Sequence, residues 1–255
     1  MIRVGIGGWN FAPWRDNFYP KGLTHARELE FASRAVTSIE INSTFYRNQK
    51  PATFRKWAGE VPDDFIFAIK ASMFATHRRV LTEGKESVIR FIDSGITELG
   101  KKLGPIVWQF APTKQFQAED FESFLALLPK GFRHTLEVRH ATFVSADFVS
   151  LARKYNAAIV VADTDKHPLI ADVTSDFVYA RLQKASAKIA TGYATADLKI
   201  WQDRAETWET GATPSDLALL AKAPPKKKRD VFVYMIAGAK ERAPQAALAL
   251  LKRLA

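Results

Sequence analysis

Three carboxylates and three cations stand at the ends of short apolar runs in this chain: Glu40, Glu137 and Asp163 against Lys70, Arg139 and Arg181. Residues 37–46, Thr-Ser-Ile-Glu-Ile-Asn-Ser-Thr-Phe-Tyr, show the pattern best. Ile39 and Ile41 alternate with Ser38, Glu40 and Asn42, which is the period of a strand. Successive side chains of a strand point to opposite faces. If helices cover the isoleucines, Glu40 and Asn42 face the axis of a sheet closed on itself. The same parity sets Glu137 and Arg139 opposite Leu136 and Val138, and adds Lys70 and Gln109 to the interior set. Arg181 ends its run in phase with Phe177 and Tyr179, and Asp163 follows Ile159 and Val161. Buried charges are costly unless paired, so the two sets are expected to converge and pair. The chemistry open to them is acid–base work on an anion. Arg181, Arg139 and Lys70 would hold the anion, the arginines by bidentate contact. Glu137 or Glu40 would be the general base, with a pKa set by burial against the cations, and Asp163 would orient a partner or ligand.

The expected rim of this site carries His77, after Thr76 in the loop beyond the third run, and His140, next to Arg139. Each could act as acid, base or phosphate contact, and His77 is the expected acid. His25, His134 and His167 stand without supporting company and are assigned to structure. Trp9 and Tyr46 lie just past strand ends and could stack on a base or sugar. Glu40, Glu137, Asp163 and His140 are of the type that holds divalent ions, but no H-x-H or H-E-x-x-H spacing supports a metal, and the neighbouring cations oppose one. No cofactor is assigned.

Eight runs with strand character position these residues: 3–8, 37–42, 65–70, 106–110, 135–139, 158–163, 177–182 and 231–236. Helical stripes fall between most of them. These are Leu29/Ala32/Val36 with Thr24 as N-cap, a long stripe from Val88 to Leu103, Phe121/Phe124/Leu125/Leu128, Phe148/Leu151/Ala152/Tyr155 capped by Ser145, Leu198/Trp201/Ala205/Trp208, and Ala247/Leu248/Leu251/Leu254 with Pro244 in the first turn. Residues 164–176 hold no helical pattern, which makes the sixth connection an irregular loop. Alternating strands and helices require parallel pairing and right-handed crossovers. Eight units in 255 residues match a (β/α)8 TIM-type barrel, which takes about 250, so the chain 1–255 is expected to be a single barrel domain. A doubly wound sheet would announce itself by a Gly-rich turn after the first strand. Gly7-Gly8-Trp9-Asn10 does not fit G-x-G-x-x-G. In a barrel the strand ends listed above share the carboxyl face, where barrel enzymes keep their chemistry.

With no cysteine there is no disulfide, zinc–thiolate site or thiol nucleophile. No apolar run is long enough for a membrane span and no signal-peptide pattern precedes the first strand, so a soluble, cytoplasmic protein is expected. The net charge of +10 favours anionic partners, either small molecules or nucleic acid. Lys226-Lys227-Lys228-Arg229, between Pro224-Pro225 and the last strand, supplies part of that excess and reads as a solvated loop.

The chain resembles the DUF72 family, also called YecE-like proteins. The resemblance is carried by Gly7-Gly8-Trp9 with Trp14 and Phe18-Tyr19-Pro20, Glu40-Ile41-Asn42-Ser43-Thr44-Phe45-Tyr46, Phe67-Ala68-Ile69-Lys70, Thr76-His77-Arg78, Leu103-Gly104-Pro105 before the run ending in Gln109, Glu137-Val138-Arg139-His140 and Tyr179-Ala180-Arg181-Leu182. It runs from Gly5 to about Trp201 and implies a TIM-type barrel without naming a reaction. Two positions depart from the family pattern. A His-Gly pair is replaced by Gln183-Lys184, and Phe-Asn-Asn at the end of the last strand by Met235-Ile236-Ala237.

The leading reading is a barrel enzyme of hydrolase or isomerase class acting on an anionic, phosphate-bearing small molecule at the carboxyl face. A nucleic-acid-binding or nuclease-like barrel is the second. A barrel that binds a ligand without turnover is the third, and the two departures from the family pattern favour it.

Overall fold

The computed structural model describes residues Met1–Ala255. Its strands are β1 (Ile2–Gly7), β2 (Ser38–Ile41), β3 (Ile66–Lys70), β4 (Leu103–Gln109), β5 (His134–Glu137), β6 (Ala158–Asp163), β7 (Phe177–Leu182) and β8 (Asp230–Met235). They pair in parallel in chain order and close on themselves through β1 and β8. The helices are α1 (Glu28–Ala35), α2 (Pro51–Glu60), α3 (Met73–Thr76), α4 (Lys85–Ile92), α5 (Ala118–Leu127), α6 (Ala146–Lys154), α7 (Thr195–Glu209) and α8 (Ala243–Leu254). This is the expected (β/α)8 barrel, and no helix lies between β6 and β7, as the sequence indicates.

Two apolar clusters express the strand parity. The inner one holds Ala68, Val107, Ala158, Val160, Ala162, Phe177, Tyr179, Phe232 and Tyr234, and fills the barrel axis. The outer one, between sheet and helices, takes the alternate residues, among them Ile39, Ile41, Leu136, Ile159 and Val161. The interior is filled unevenly. β7 and β8 supply large rings, with Tyr179 and Tyr234 stacked at 4.9 Å, and small residues face them. Gly5 is required there: a Cβ would stand 2.2 Å from the Ser38 carbonyl oxygen and 2.9 Å from the Tyr234 ring.

Local chemistry sets the helix ends. Ser145 Oγ accepts from the Phe148 amide at 3.2 Å and caps α6, as expected. Thr24 instead precedes a short 3-10 turn, His25–Arg27, and its side chain makes no cap. The stripe from Val88 to Leu103 is not one helix. α4 stops at Ile92, Gly95 turns left-handed at φ 101°, and a 3-10 segment, Ile96–Lys102, follows. α2 has Pro51 in its first turn and buries one core ring, Phe54, too weak a periodicity to stand out in the sequence. α8 buries Ala243, Ala246, Ala247 and Leu250, so its core face is rotated from the expected stripe and Leu248 is exposed.

Candidate functional site

The carboxyl ends of the strands bring six interior side chains into one network. Arg181, from β7, spans two carboxylates: its Nη2 donates to Glu40 Oε1 at 2.9 Å and its Nη1 donates to Glu137 Oε2. Gln109 Nε2 donates to the same Glu137 oxygen at 2.8 Å, and Arg139 donates through Nη2 to Oε1 at 3.0 Å. The Tyr179 hydroxyl donates to Glu40 Oε2 at 2.7 Å. Exposure is 0% for Glu40, 1% for Glu137 and 3% for Arg181, so these ions have traded water for one another. Replacing bulk hydration by several charge-assisted hydrogen bonds is the condition under which buried ions are tolerated.

Charge states follow from this packing. Burial works against an ionised Glu137, but Arg181, Arg139, the Gln109 amide and Lys70 outweigh it and hold the carboxyl down at about 2. Arg181 loses by burial and gains more from Glu137 and Glu40, so its pKa rises. Tyr179 is pushed up by burial and then by Glu40, and its hydroxyl stays protonated. Lys70 differs from the rest. It is 8% exposed, none of the ion pairs of the molecule includes it, and its Nζ sits 3.6 Å over the centre of the Phe45 ring. Burial and then Arg181 push its amine down to about 8, against the pull of Glu40 and Glu137.

Other expected residues land elsewhere. Asp163 does not converge with Glu40 and Glu137. It shares parity with Ile159 and Val161, which pack outward under the helices. Its Oδ1 lies 3.6 Å from Lys184 Nζ and its Oδ2 3.4 Å from the Tyr193 hydroxyl. At its carboxyl end β6 presents Ala162 to the interior, in line with Ala158 and Val160, and no charged group. Trp9 is not a stacking platform over the site, because its ring belongs to the outer core, edge-on to Trp57 at 5.1 Å. His140 Nδ1 accepts from the Thr142 amide at 3.2 Å and so caps the turn Ala141–Phe143. Asn42 donates to the Glu40 carbonyl at 3.3 Å and lies beside Gly7. Tyr46 stands exposed at the rim, edge-on to Phe45.

His77 ends α3 with its ring 5.5 Å from Phe45 and a buried, unpartnered Nε2. Burial, then Arg139 and Lys70, lower its pKa, which disfavours the cationic imidazolium. His167, set aside in the sequence, stands in the field of the cluster: burial and then Arg139 lower its pKa, Glu137 raises it, and its Nδ1 is buried without a partner. It comes from the irregular sixth connection, where no periodicity could have flagged it. Phe45 stands in the quoted run immediately before Tyr46, but nothing in its type says that a lysine lies on it.

At the two positions that depart from the family pattern, Gln183 Nε2 is buried without a partner and Ile236 packs its Cδ1 3.1 Å from where a Gly7 Cβ would be. No three His, Asp or Glu side chains are grouped as metal ligands. No helix is long and apolar enough to cross a membrane. A surface depression of about 730 Å³ opens at the other end of the barrel among Arg133, Asp230, Glu209 and Lys227–Arg229. Arg133 pairs there with Asp230 at 2.7 Å, both partly exposed, and Asp230 also meets the terminal amine, so this end is read as surface ion pairing.

Fold and site together define a TIM-type barrel whose carboxyl face carries a buried ionic cluster with one unpaired lysine. Residues 3–255 match the family described as "Protein of unknown function DUF72", and the chain belongs to that family. Among curated proteins it is similar to the UPF0759 protein YunF of Bacillus subtilis (strain 168), 28% identical over 117 residues, 44% of this chain and 40% of that protein; the match thus spans less than half the length of the curated relative. Among solved structures it is similar to a DUF72 family protein of Thermotoga maritima MSB8, with TM-score 0.78 and 20% identity over 100% of this chain and 99% of the other. A DUF72 family protein of Enterococcus faecalis V583 gives TM-score 0.76 and 17% identity, covering 100% and 95%. At these identities the structural likeness speaks for the fold alone.

Proposed function

We propose that the barrel is an enzyme that performs proton transfer on an anionic, phosphate- or carboxylate-bearing small molecule at its carboxyl face, with Lys70 as the acid–base group. The observation that carries this is Lys70 itself. With Lys70 protonated, three cations (Lys70, Arg139, Arg181) face two carboxylates (Glu40, Glu137), and the surplus charge sits on the one cation that no carboxylate neutralises. A surplus positive charge in a low-dielectric site attracts an anion. An amine held at about 8 can both accept and return a proton near neutral pH.

Glu137 is not the base. At about 2, with both oxygens occupied, it is the fixed anion that holds Arg181 and Arg139 in place. Isomerisation fits better than hydrolysis, because one group can remove a proton from carbon beside a carbonyl and return it at the neighbouring atom. Hydrolysis requires a base for water and a separate acid for the leaving group, and no second group is poised for it. Arg139, half-buried at the mouth, would take the anionic end of the substrate, and Arg181 would steady the developing negative charge.

A thermal-shift screen of phosphorylated and carboxylated metabolites tests this on wild type, Lys70→Met and Arg139→Gln. A ligand at a hundred times its Kd stabilises by about 2.7 kcal/mol. A shift seen in wild type and lost in Lys70→Met supports the site and supplies a substrate to assay. No shift with any small anion, or one that survives both substitutions, sinks it.

A further inference from the structure

A second feature lies on the rim, outside the ionic cluster. Two depressions, about 430 and 710 Å³, meet at Arg78. Arg47 and Arg90 line the first and Arg79 the second, and no Asp or Glu lines either. All four guanidinium groups are exposed and none takes part in an ion pair of the molecule. Two aromatic rings stand out from the same surface, Tyr46 at 70% and Phe74 at 55% exposure. The arginine loop is braced rather than loose. Lys114 Nζ donates to the Arg79 carbonyl at 2.7 Å and to Asp120 Oδ2, and Asp120 Oδ1 accepts from the Leu81 amide at 2.8 Å. Arg78 Nε donates to the Phe74 carbonyl at 3.0 Å, which ties the guanidinium to the exposed ring's own turn.

Uncompensated arginines held close together repel one another, and exposed large rings lose hydrophobic stabilisation. A ligand that relieves both must bring several negative charges along a line and flat apolar faces between them. A lone phosphate would relieve one or two arginines and leave the rings uncovered. A duplex offers phosphates but keeps its bases stacked away from the rings. A single strand offers both, since phosphates pair with arginine and any base stacks on an aromatic face.

We propose that this trough is a binding site for single-stranded nucleic acid, with Arg47, Arg78, Arg79 and Arg90 on the phosphates and Tyr46 and Phe74 stacking the bases. It rests on residues other than those of the proposed reaction and stands or falls apart from it.

Fluorescence anisotropy with a labelled single-stranded oligonucleotide, as DNA and as RNA, and with the duplex of the same sequence is the test. Four phosphate contacts predict that log K falls with log salt at a slope of about −3 for the single strand. Arg78→Glu with Arg90→Glu should weaken binding by at least about tenfold and flatten that slope. Tyr46→Ala and Phe74→Ala should each weaken it about fivefold or more with the slope unchanged. Lys226→Glu with Lys228→Glu, on the basic loop before β8, should change little. All these side chains are exposed, so circular dichroism should show each variant folded. No binding at about 50 mM salt, duplex bound as tightly as single strand, or loss confined to the Lys226/Lys228 variant would overturn the proposal.

Discussion

Glu137 and Asp163 end neighbouring strands of one barrel, both largely removed from water, and they titrate in opposite directions. Glu137 points to the axis, and burial is outweighed by Arg181 and Arg139 so that its carboxyl is held at about 2. Asp163 points outward, and burial outweighs the more distant, half-exposed Lys184, so its pKa is raised. Burial is common to both. The number and closeness of cations is what differs, and strand parity decided which carboxylate met them. A carboxylate at a strand end is therefore only half a signal, and the face it takes is the other half.

The sharpest way to break this contrast is to remove the cation from the interior. Arg181→Met leaves Glu40 and Glu137 buried and facing each other, and should cost about 3–5 kcal/mol in urea unfolding. Adding Glu40→Gln and Glu137→Gln to the same chain should recover most of the loss, because a buried ion set can be replaced by neutral groups at little cost. If Arg181→Met costs under about 1 kcal/mol, the network contributes no more than a surface pair.

Two pH limbs come next, each worth roughly 3 kcal/mol. Glu137 is held at about 2 in the folded chain against an ordinary 4.5. Its contribution is whole above 4.5 and is lost as pH falls toward 2, so wild type should lose stability over that window and Glu137→Gln should lose less. Lys70 is at about 8 when folded against an ordinary 10.5. Below 8 both states carry the proton and the burial penalty is fully present. Between 8 and 10.5 the folded chain has released it while the unfolded chain has not, so stability rises with pH. Wild type minus Lys70→Met, followed by urea unfolding across that range, isolates the limb. A flat difference would show that Lys70 titrates as a surface lysine and would remove the basis of the proposed reaction.

Much of this was legible in residue order. The alternation of Ile39 and Ile41 with Glu40 needs only the geometry of a strand, and parity placed Lys70, Gln109, Glu137 and Arg181 on one face. The same parity, followed strictly, also places Asp163 with Ile159 and Val161 on the outer face, so its expected convergence went against the rule that located the others. What the order of residues could not give was the third dimension of the loops. Phe45 beneath Lys70, His167 reaching the cluster from a connection without periodicity, and the meeting of Arg47, Arg78 and Arg90 across the rim depend on loop paths that no local pattern encodes. The break at Gly95 was visible as a glycine but not as a left-handed turn, since a glycine within a helical stripe is compatible with either.

The smallest effect tests the comparison most directly. Asp163 has a half-exposed partner at 3.6 Å and a long hydrogen bond from Tyr193, so Asp163→Asn should change stability at neutral pH by no more than about 1 kcal/mol. Its pH dependence carries the information. An acid whose folded pKa lies above the unfolded one bears a penalty at high pH, which is relieved as pH falls through the folded value. Wild type should therefore gain on Asp163→Asn as the solution is acidified, while over the acid range it loses ground to Glu137→Gln. Two carboxylates on adjacent strands would then bend the stability curve in opposite directions. Curves that bend the same way would mean that Lys184 holds Asp163 as firmly as Arg181 holds Glu137, and that the inward and outward faces of the strand ends are electrostatically alike.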